Sequence, residues 1–196
     1  MALLRACADA VLLGAGTLRA TPGHRWTAAH VFPDFASEFA RLRSTLSRKP
    51  KPRLVLLTAS GDIPLAHPAI VEGATVVTTS AGAMTLKDRL PASCDVIEVG
   101  KEGGVDVTTT MAALRERGYD VLLTEGGPHV TAELIKAGAL DEVFLTISPV
   151  VAGRDREQRL GMVEGLELLP GRGLWSRLLS ARRHGDFLFL RYGLGR

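Results

Sequence analysis

The chain of 196 residues is long enough for one domain with a sizeable buried core. Apolar residues make up 46% and charged residues 23%, which is typical of a globular protein and excludes a wholly disordered chain. The net charge of +3 is small and the 24 basic residues form no stripe interleaved with aromatics, so we expect no nucleic-acid partner.

The cysteines and histidines do not follow any metal-binding pattern. Cys7 and Cys94 lie far apart and form no CxxC, which argues against a disulfide framework or a zinc site. The five histidines show neither HxxxH nor HExxH spacing, so we expect no metal. No apolar stretch is long enough to cross a membrane, and the apolar start lacks a clean signal-peptide cleavage pattern. We therefore expect a cytoplasmic protein without a membrane partner.

The first half of the chain alternates apolar runs with stretches of helical periodicity. In chain order it predicts the last turns of a helix at 2–8, a strand at 10–13, a loop at 20–34, a helix at 35–46, a strand at 53–57, a short helix or turn at 67–72, a strand at 74–79, a helix near 83–90 and a strand at 95–99. A helix at 109–117 follows, for which Thr108 is the predicted cap and Gly118 the stop.

The second half continues the alternation and then changes character. A strand at 121–124 leads through a Glu-Gly-Gly turn into a helix that begins at Pro128 and stops at Gly138, and a second strand follows before Gly153. A glycine-rich loop at 161–173 precedes two antiparallel strands at 174–181 and 186–192. The order of elements predicts a single α/β domain, in which a mixed, mostly parallel central sheet has helices on both faces and antiparallel C-terminal strands.

Small and hydroxyl residues follow several of the predicted strands. They are Gly14-Ala15-Gly16-Thr17, Thr58-Ala59-Ser60-Gly61 and Glu125-Gly126-Gly127, with Thr78-Thr79-Ser80 as a weaker fourth case. In an open α/β sheet, ligands bind outside the carboxyl ends of the strands, and a helix N-terminus attracts anionic groups. Although one glycine after a strand is often only a turn residue, three such motifs favour one long phosphate-bearing ligand across these strand ends.

The chemistry suggested by these motifs is limited. The segment GAGTLR lacks the third glycine of a Rossmann fingerprint, and no Walker A loop or nucleophile elbow is present. Hydride transfer, which mainly needs two bound reactants in the correct geometry, is compatible with so plain a site. Glu125 either orients a ligand or simply caps the following helix, and the sequence leaves both roles open.

Three blocks of the chain resemble one known family. The blocks are Ala8 to Ala20 (ADAVLLGAGTLRA), Glu125 to Pro128 (EGGP) and Leu140 to Pro149 (LDEVFLTISP). They are similar, in the same order and over nearly the whole chain, to the reductase domain of riboflavin biosynthesis. That domain belongs to the dihydrofolate-reductase-like superfamily and is often described as a pyrimidine reductase.

The resemblance implies a dihydrofolate-reductase-like three-layer fold, NADPH as hydride donor and a homodimer. The implied reaction is reduction of the ribosyl group of a phosphorylated aminopyrimidine, of the 5-amino-6-ribosylaminouracil phosphate type. Glu125 and Thr17 are implied near the reacting centre. The residues implied or suggested for cofactor binding are Gly14, Ala15, Gly16, Thr17, Thr21, Thr58, Ser60, Gly61, Thr79, Gly126, Gly127, Pro128 and His129.

Two departures from the family pattern bear on the substrate. Family members usually continue the Thr-x-Arg-Ala block with two acidic residues and a proline, whereas this chain reads Thr21-Pro22-Gly23-His24. The family also begins with a central strand and loop that line the substrate pocket, and Met1 falls after them. We therefore expect an N-terminally shortened version of a longer protein, which an intact mass of the natural protein would test.

Two alternatives remain open at this stage. One is reduction of dihydrofolate or another pterin-like molecule on the same fold. The other is a non-catalytic homologue that retains a nucleotide site. Comparing turnover of pyrimidine and pterin substrates separates the enzymes from each other, and NADPH binding without turnover would indicate the non-catalytic homologue.

Overall fold

The computed structural model describes residues 1–101, 104–153, 161–171 and 173–195. The chain divides into two compact units, Met1–Val130 and Thr131–Arg196. None of the described helices combines the length and apolarity that a membrane crossing needs.

The first unit is built from helices alternating with strands. Its strands are β1 (Ala10–Gly14), β2 (Arg53–Thr58), β3 (Ala74–Thr78), β4 (Asp95–Glu98), β5 (Gly100–Lys101), β6 (Gly104–Val105) and β7 (Leu122–Thr124). Its helices are α1 (Ala2–Cys7), α2 (Ala15–Ala20), α3 (Ala28–Val31), α4 (Ala36–Thr45), α5 (Pro68–Val71), α6 (Ser80–Leu86) and α7 (Val107–Glu116), with a 3-10 turn at Pro33–Phe35; α8 (Pro128–Lys136) begins at its end.

Five strands of this unit form a parallel sheet in the order β4-β3-β2-β1-β7. The central strands are buried on both faces, as their unbroken apolar sequences require: Leu12 and Leu13 are 1% and 0% exposed, and Val76 and Val77 are fully buried. Each such side chain stabilises the fold by roughly 1.5–3 kcal/mol relative to exposure to water. Parallel pairing brings the carboxyl ends of these strands to one edge of the sheet.

A buried arginine fixes α1 against the opposite end of β1. Arg43 on α4 is 3% exposed and donates hydrogen bonds to the backbone oxygens of Arg5, Ala6 and Ala8, at 3.0, 3.1 and 2.8 Å. These carbonyls lie at the end of α1, where helical carbonyls lack intrahelical partners. The contact therefore holds the short helix that carries Arg5 in a defined position.

The second unit carries the remaining strands. They are β8 (Glu142–Ile147), β9 (Ser176–His184) and β10 (Phe187–Leu194), and they form an antiparallel sheet in the order β8-β10-β9. The register of β10 on β9 shifts between Arg191 and Tyr192. The backbone N–H of Leu194 donates to Asp141 O at 2.8 Å, which extends the contact between β10 and the segment before β8.

The predicted α/β class, with parallel strands and antiparallel C-terminal strands, is confirmed. The antiparallel strands form a separate three-stranded sheet, although the alternation pattern suggested edge strands of the central one. The predicted helix stops are also correct, since Gly118 and Gly138 adopt left-handed conformations at φ of 78° and 60°. The part of the predicted glycine-rich loop within 161–171 contains no helix or strand.

Two local predictions are wrong, and one element was not predicted. The cap of α7 is Asp106, whose carboxylate accepts a hydrogen bond from Thr109 N at 2.7 Å, so the helix begins two residues before the predicted start. The predicted loop at 20–34 contains α3, because the Thr27 hydroxyl accepts from His30 N and provides an N-cap. The short hairpin of β5 and β6 was not predicted, since two-residue strands carry no periodicity.

Candidate functional site

The predicted motifs meet at the carboxyl edge of the parallel sheet. In the observed register Gly14 of β1 pairs with Leu57, the residue before Thr58, while Thr58 pairs with Thr78 and Thr124 of β7 pairs with Leu12. The segments that follow these residues therefore leave the sheet on one side. This is the edge at which open α/β sheets bind ligands.

Two of the glycines at this edge are closely packed against one side chain. A Cβ on Gly126 would lie 2.7 Å from Val130 Cγ1, and a Cβ on Gly14 would lie 3.0 Å from Val130 Cγ2. Val130 lies in the first turn of α8, so both glycines let this turn approach the end of β1. Gly14 and Gly126 thus have a structural reason to be glycine, independent of any ligand.

Gly16 and Gly127, also at this edge, face open space. A Cβ on Gly16 would meet no atom within 4 Å, and one on Gly127 would meet only Thr17 Oγ1, at 3.7 Å. Gly127 directly precedes α8, a helix of nine residues. The N-terminus of α8 follows the turn after β7 and therefore lies at the carboxyl edge of the sheet. Bare backbone beside a helix N-terminus offers room and a favourable dipole to an anionic group. Gly16, Thr17 and Gly127 are therefore the best placed of the predicted residues to contact a ligand.

Glu125 is held by a buried arginine. Arg5 Nε donates to Glu125 Oε1 at 2.6 Å and Arg5 Nη2 donates to Oε2 at 2.7 Å, and the two side chains are 4% and 15% exposed. This two-point geometry fixes the plane of the carboxylate, and each oxygen keeps a further lone pair. The arrangement resembles an oriented acceptor more than a helix cap.

The loop after α2 is attached to this ion pair and to α5. Arg5 Nη1 donates to Arg25 O at 3.2 Å. Thr21 Oγ1 donates to Thr17 O at 2.8 Å, and His67 Nε2 lies 3.0 Å from Thr21 O. Because His67 Nδ1 accepts a hydrogen bond from Ala69 N at 3.2 Å, its Nε2 is the protonated nitrogen and donates to Thr21. Thr21 is thereby a structural link between α2 and α5.

A cluster of aromatic rings lies beside the Arg5–Glu125 pair. The imidazole of His24 meets Trp26 edge-on with centroids 4.9 Å apart, and meets His30 edge-on at 4.7 Å. Burial lowers the pKa of His24, electrostatic interactions with Arg5, His30 and His67 lower it further, and Glu125 opposes them. Partly buried His24 thus lies within electrostatic range of both members of the ion pair.

The turn after β2 packs closely against the start of α6. Thr58 Oγ1 accepts a hydrogen bond from Gly61 N at 3.2 Å, and Thr79 Oγ1 donates to Ala59 O at 2.6 Å. A Cβ on Gly61 would overlap the carbonyl oxygen of Gly82. These contacts make Thr58, Gly61 and Thr79 parts of a rigid turn.

Exposed groups border this turn. Ser60 is exposed and its hydroxyl accepts a hydrogen bond from Asp62 N at 3.2 Å. Arg19 Nη1 donates to Asp62 O at 2.8 Å and lies 3.7 Å from the Asp62 carboxylate, with its side chain 51% exposed. Arg19 is therefore a cation at the rim of the turn that remains accessible to an anion.

The remaining predicted residues lie at the starts of the two helices. Ala15 is 7% exposed and opens α2, so it offers little side-chain surface to a ligand. Pro128 is the first residue of α8, and His129 is exposed next to it. Among the described residues, no three histidine, cysteine, aspartate or glutamate side chains could share a metal ion.

Sequence reasoning missed three residues of this region. Arg5 is a lone charge in the apolar helix ALLRAC, which is a signal for a buried partner that was not used. Arg19 lies within the recognised GAGTLRA block but received no role. His24 was noted only as part of a changed motif, since no local pattern indicates its neighbours.

Comparison with known proteins identifies the family. The RibD C-terminal domain family matches residues 1–177, whereas no curated protein sequence matches. A pyrimidine reductase-like protein from Corynebacterium diphtheriae is similar in structure, with a TM-score of 0.75 and 20% identity over 100% of this chain and 79% of that one. The riboflavin biosynthesis reductase Rib7 from Saccharomyces cerevisiae is also similar in structure. Its TM-score is 0.65, with 17% identity over 99% of this chain and 78% of that one.

A third solved structure is similar over part of its length. It is a diaminohydroxyphosphoribosylaminopyrimidine deaminase/5-amino-6-(5-phosphoribosylamino)uracil reductase from Thermotoga maritima, with a TM-score of 0.69 and 18% identity over 99% of this chain. This chain spans 47% of that protein, about half its length. At such identities the structures establish a shared fold, which is of the dihydrofolate-reductase-like type. The family match adds the assignment: the chain belongs to the RibD C-terminal domain family of oxidoreductases, which use a nicotinamide cofactor.

Proposed function

We propose that the protein is an NADPH-dependent reductase of a phosphorylated aminopyrimidine in riboflavin biosynthesis. The observation that carries this proposal is the convergence at one sheet edge of Gly16 and Gly127, which both have open space beside them, with Thr17 and the Arg5–Glu125 pair. Membership of the RibD C-terminal domain family supports the reaction class and the pathway.

The residues present fit an extended dinucleotide. Gly16, Thr17, Gly127 and the N-terminus of α8 would hold an anionic pyrophosphate, because bare backbone there allows close approach. When bound, the cofactor supplies a hydride. The rim of the Thr58–Gly61 turn would take the adenosine end, where the half-exposed Arg19 cation favours the additional phosphate of NADPH over NADH.

The substrate would lie on the Glu125 side of Thr17. Because both Glu125 oxygens are oriented by Arg5, their remaining lone pairs can accept hydrogen bonds from N–H or O–H groups of the substrate in a fixed direction. The name of the Thermotoga maritima protein includes a phosphoribosylaminouracil reductase activity, and this supports the same substrate class here.

We also propose that the protein acts as a homodimer in the cytoplasm, as the resemblance implies. The three-stranded sheet exposes apolar side chains that a second copy could cover, among them Phe144, Ile147, Leu178 and Phe189, each 43–52% exposed. Analytical ultracentrifugation of the wild type and of Phe189→Asp tests this assembly. A wild-type protein that sediments as a monomer at working concentrations contradicts it.

The function is tested by following NADPH oxidation with the purified full-length protein. We expect turnover with the phosphorylated ribosylaminopyrimidine and none with dihydrofolate. Turnover of dihydrofolate would instead indicate a pterin reductase. Gly127→Val should abolish NADPH binding in a calorimetric titration, because its methyl groups occupy the open space beside Thr17. Gly171→Val, in the loop of the second unit, is the matched control.

Two results would contradict the proposal. The first is a wild-type protein that binds no NADPH at sub-millimolar concentration. The second is binding without turnover of any pyrimidine or pterin, which would indicate a non-catalytic homologue. Unchanged affinity in Gly127→Val would show that the turn is structural only.

A further inference from the structure

His24 is a fixed imidazole at the Glu125 side of the site. Its backbone N–H donates to Thr21 O at 3.2 Å, and its ring meets the indole of Trp26 edge-on at 4.9 Å. Trp26 is only 5% exposed and lies against the ring of His67, with centroids 5.9 Å apart. A buried indole therefore supports one side of the His24 ring, which remains partly open to solvent.

The neighbouring groups cannot easily provide a proton. Reduction of a C=N or C=O bond by hydride leaves the heteroatom with an electron pair that must be protonated. Both oxygens of Glu125 accept hydrogen bonds from Arg5, the bonding pattern of an acceptor carboxylate. The hydroxyl of Thr17 is a very weak acid. The hydrogen bonds among the described residues include none to a ring nitrogen of His24, so this imidazole can bond to a substrate.

We propose that His24 donates the proton that accompanies hydride transfer at this site, an inference that rests on the proposed function. The substrate carbon gains the hydride from the dihydronicotinamide, which is oxidised, and a new C–H bond forms. The π electrons of the substrate double bond move to its heteroatom, which takes the proton from the His24 imidazolium. The imidazole that remains is reprotonated from water.

The surroundings of His24 set the pH range in which it can play this role. Burial is the main factor that disfavours a proton on His24, and electrostatic interactions with Arg5 on α1, His30 on α3 and His67 at the start of α5 add to it. Glu125 favours the proton but does not outweigh them, so the pKa of His24 lies below its usual 6.5. A lowered pKa makes the imidazolium a stronger acid but leaves less of it at neutral pH, so the proton transfer should be fastest at mildly acidic pH.

The pH profile gives a readout that a structural role would not change. Because His24 acts when protonated, the rate should fall as the pH rises through its pKa, with a midpoint below 6.5. His24→Gln should lower kcat by about 10²–10⁴-fold and remove this falling limb. His30→Gln removes the neighbouring ring, 4.7 Å away, that lowers the pKa of His24, so it should move the limb to higher pH. His184→Gln, exposed on β9, is the control and should leave the profile unchanged.

Proton NMR titration of the histidine rings provides a measurement without turnover. The His24 signal is identified by its loss in His24→Gln. Its titration midpoint should coincide with the midpoint of the kinetic limb and should move to higher pH in His30→Gln. If His24→Gln does not fold, the His30→Gln profile decides, and an unshifted limb overturns the inference.

The failures of the two proposals can be told apart. A wild type that turns over while His24→Gln keeps its kcat and its limb contradicts the role of His24 alone. An increase in KM with the limb retained also overturns it, since His24 would then only bind. A wild type that reduces none of the substrates contradicts the proposed function and this inference with it.

Discussion

Arg5 and Glu125, 120 positions apart in the chain, are joined by two hydrogen bonds of 2.6 and 2.7 Å. The pair connects α1 to the turn after β7, and Arg5 also bonds the loop that carries His24. Arg43 fixes the end of α1 through three backbone oxygens. Because α1 carries Arg5 and Arg5 holds Glu125, Arg43 indirectly fixes the carboxylate at the proposed site.

Breaking this pair should destabilise the protein strongly. Arg5→Met leaves the Glu125 carboxylate, 15% exposed, without its partner, and we expect the free energy of unfolding to fall by about 3–5 kcal/mol. The double variant Arg5→Met/Glu125→Leu should recover part of this loss, because no unpaired charge remains. Urea unfolding measures both, with Arg41→Met on the exposed side of α4 as control. A loss no larger than that of the control would show that the pair contributes nothing.

Alanine substitutions at the two neighbouring glycines of the site should differ in their effect on the stability of the protein. Gly126→Ala places a methyl group 2.7 Å from Val130, and such overpacking costs about 1–3 kcal/mol. Gly127→Ala should be nearly neutral, since its Cβ would meet only Thr17 at 3.7 Å. Thermal and urea unfolding test the difference, and Gly126→Ala/Val130→Ala should restore part of the stability. Equal losses at both glycines would contradict the packing argument.

Arg19 should select between the two nicotinamide cofactors. If its guanidinium bonds the additional phosphate of NADPH, Arg19→Gln removes charge-assisted hydrogen bonds worth about 1.5–3 kcal/mol, or roughly ten- to a hundredfold in Kd. Affinity for NADH should stay the same. Calorimetric titration with each cofactor measures this, and Arg41→Gln is the control. A parallel loss for both cofactors would show that Arg19 acts only through Asp62 and the turn.

Local patterns were enough to predict the strand ends but not what surrounds them. The apolar runs at β1, β2 and β7 predict a parallel sheet, and parallel pairing by itself aligns Gly14, Thr58 and Glu125 at one edge. The lone charge of Arg5 indicates a buried partner, but the sequence does not identify Glu125 as that partner, because only the folded chain brings together two residues 120 positions apart. The cap of α7 could have been predicted, because Asp106 is of a residue type that caps helices better than the threonine at 108.

The stability of the sheet should depend on the ionisation of Asp9. Burial raises the pKa of this carboxyl, but hydrogen bonds from Arg48 and from the backbone of Val121 and Asp120 outweigh it and lower the pKa below 3.8. A carboxyl whose pKa is lower in the folded state stabilises that state above its unfolded pKa, and the contribution is lost as the pH falls through the folded value. Asp9→Asn should therefore be less stable than the wild type at neutral pH, and the difference should shrink below about pH 3.8. Urea unfolding across this range measures it, with the exposed Glu116→Gln on α7 as control. A difference between wild type and Asp9→Asn that stays constant with pH would show that packing, and not charge, is what the variant removes.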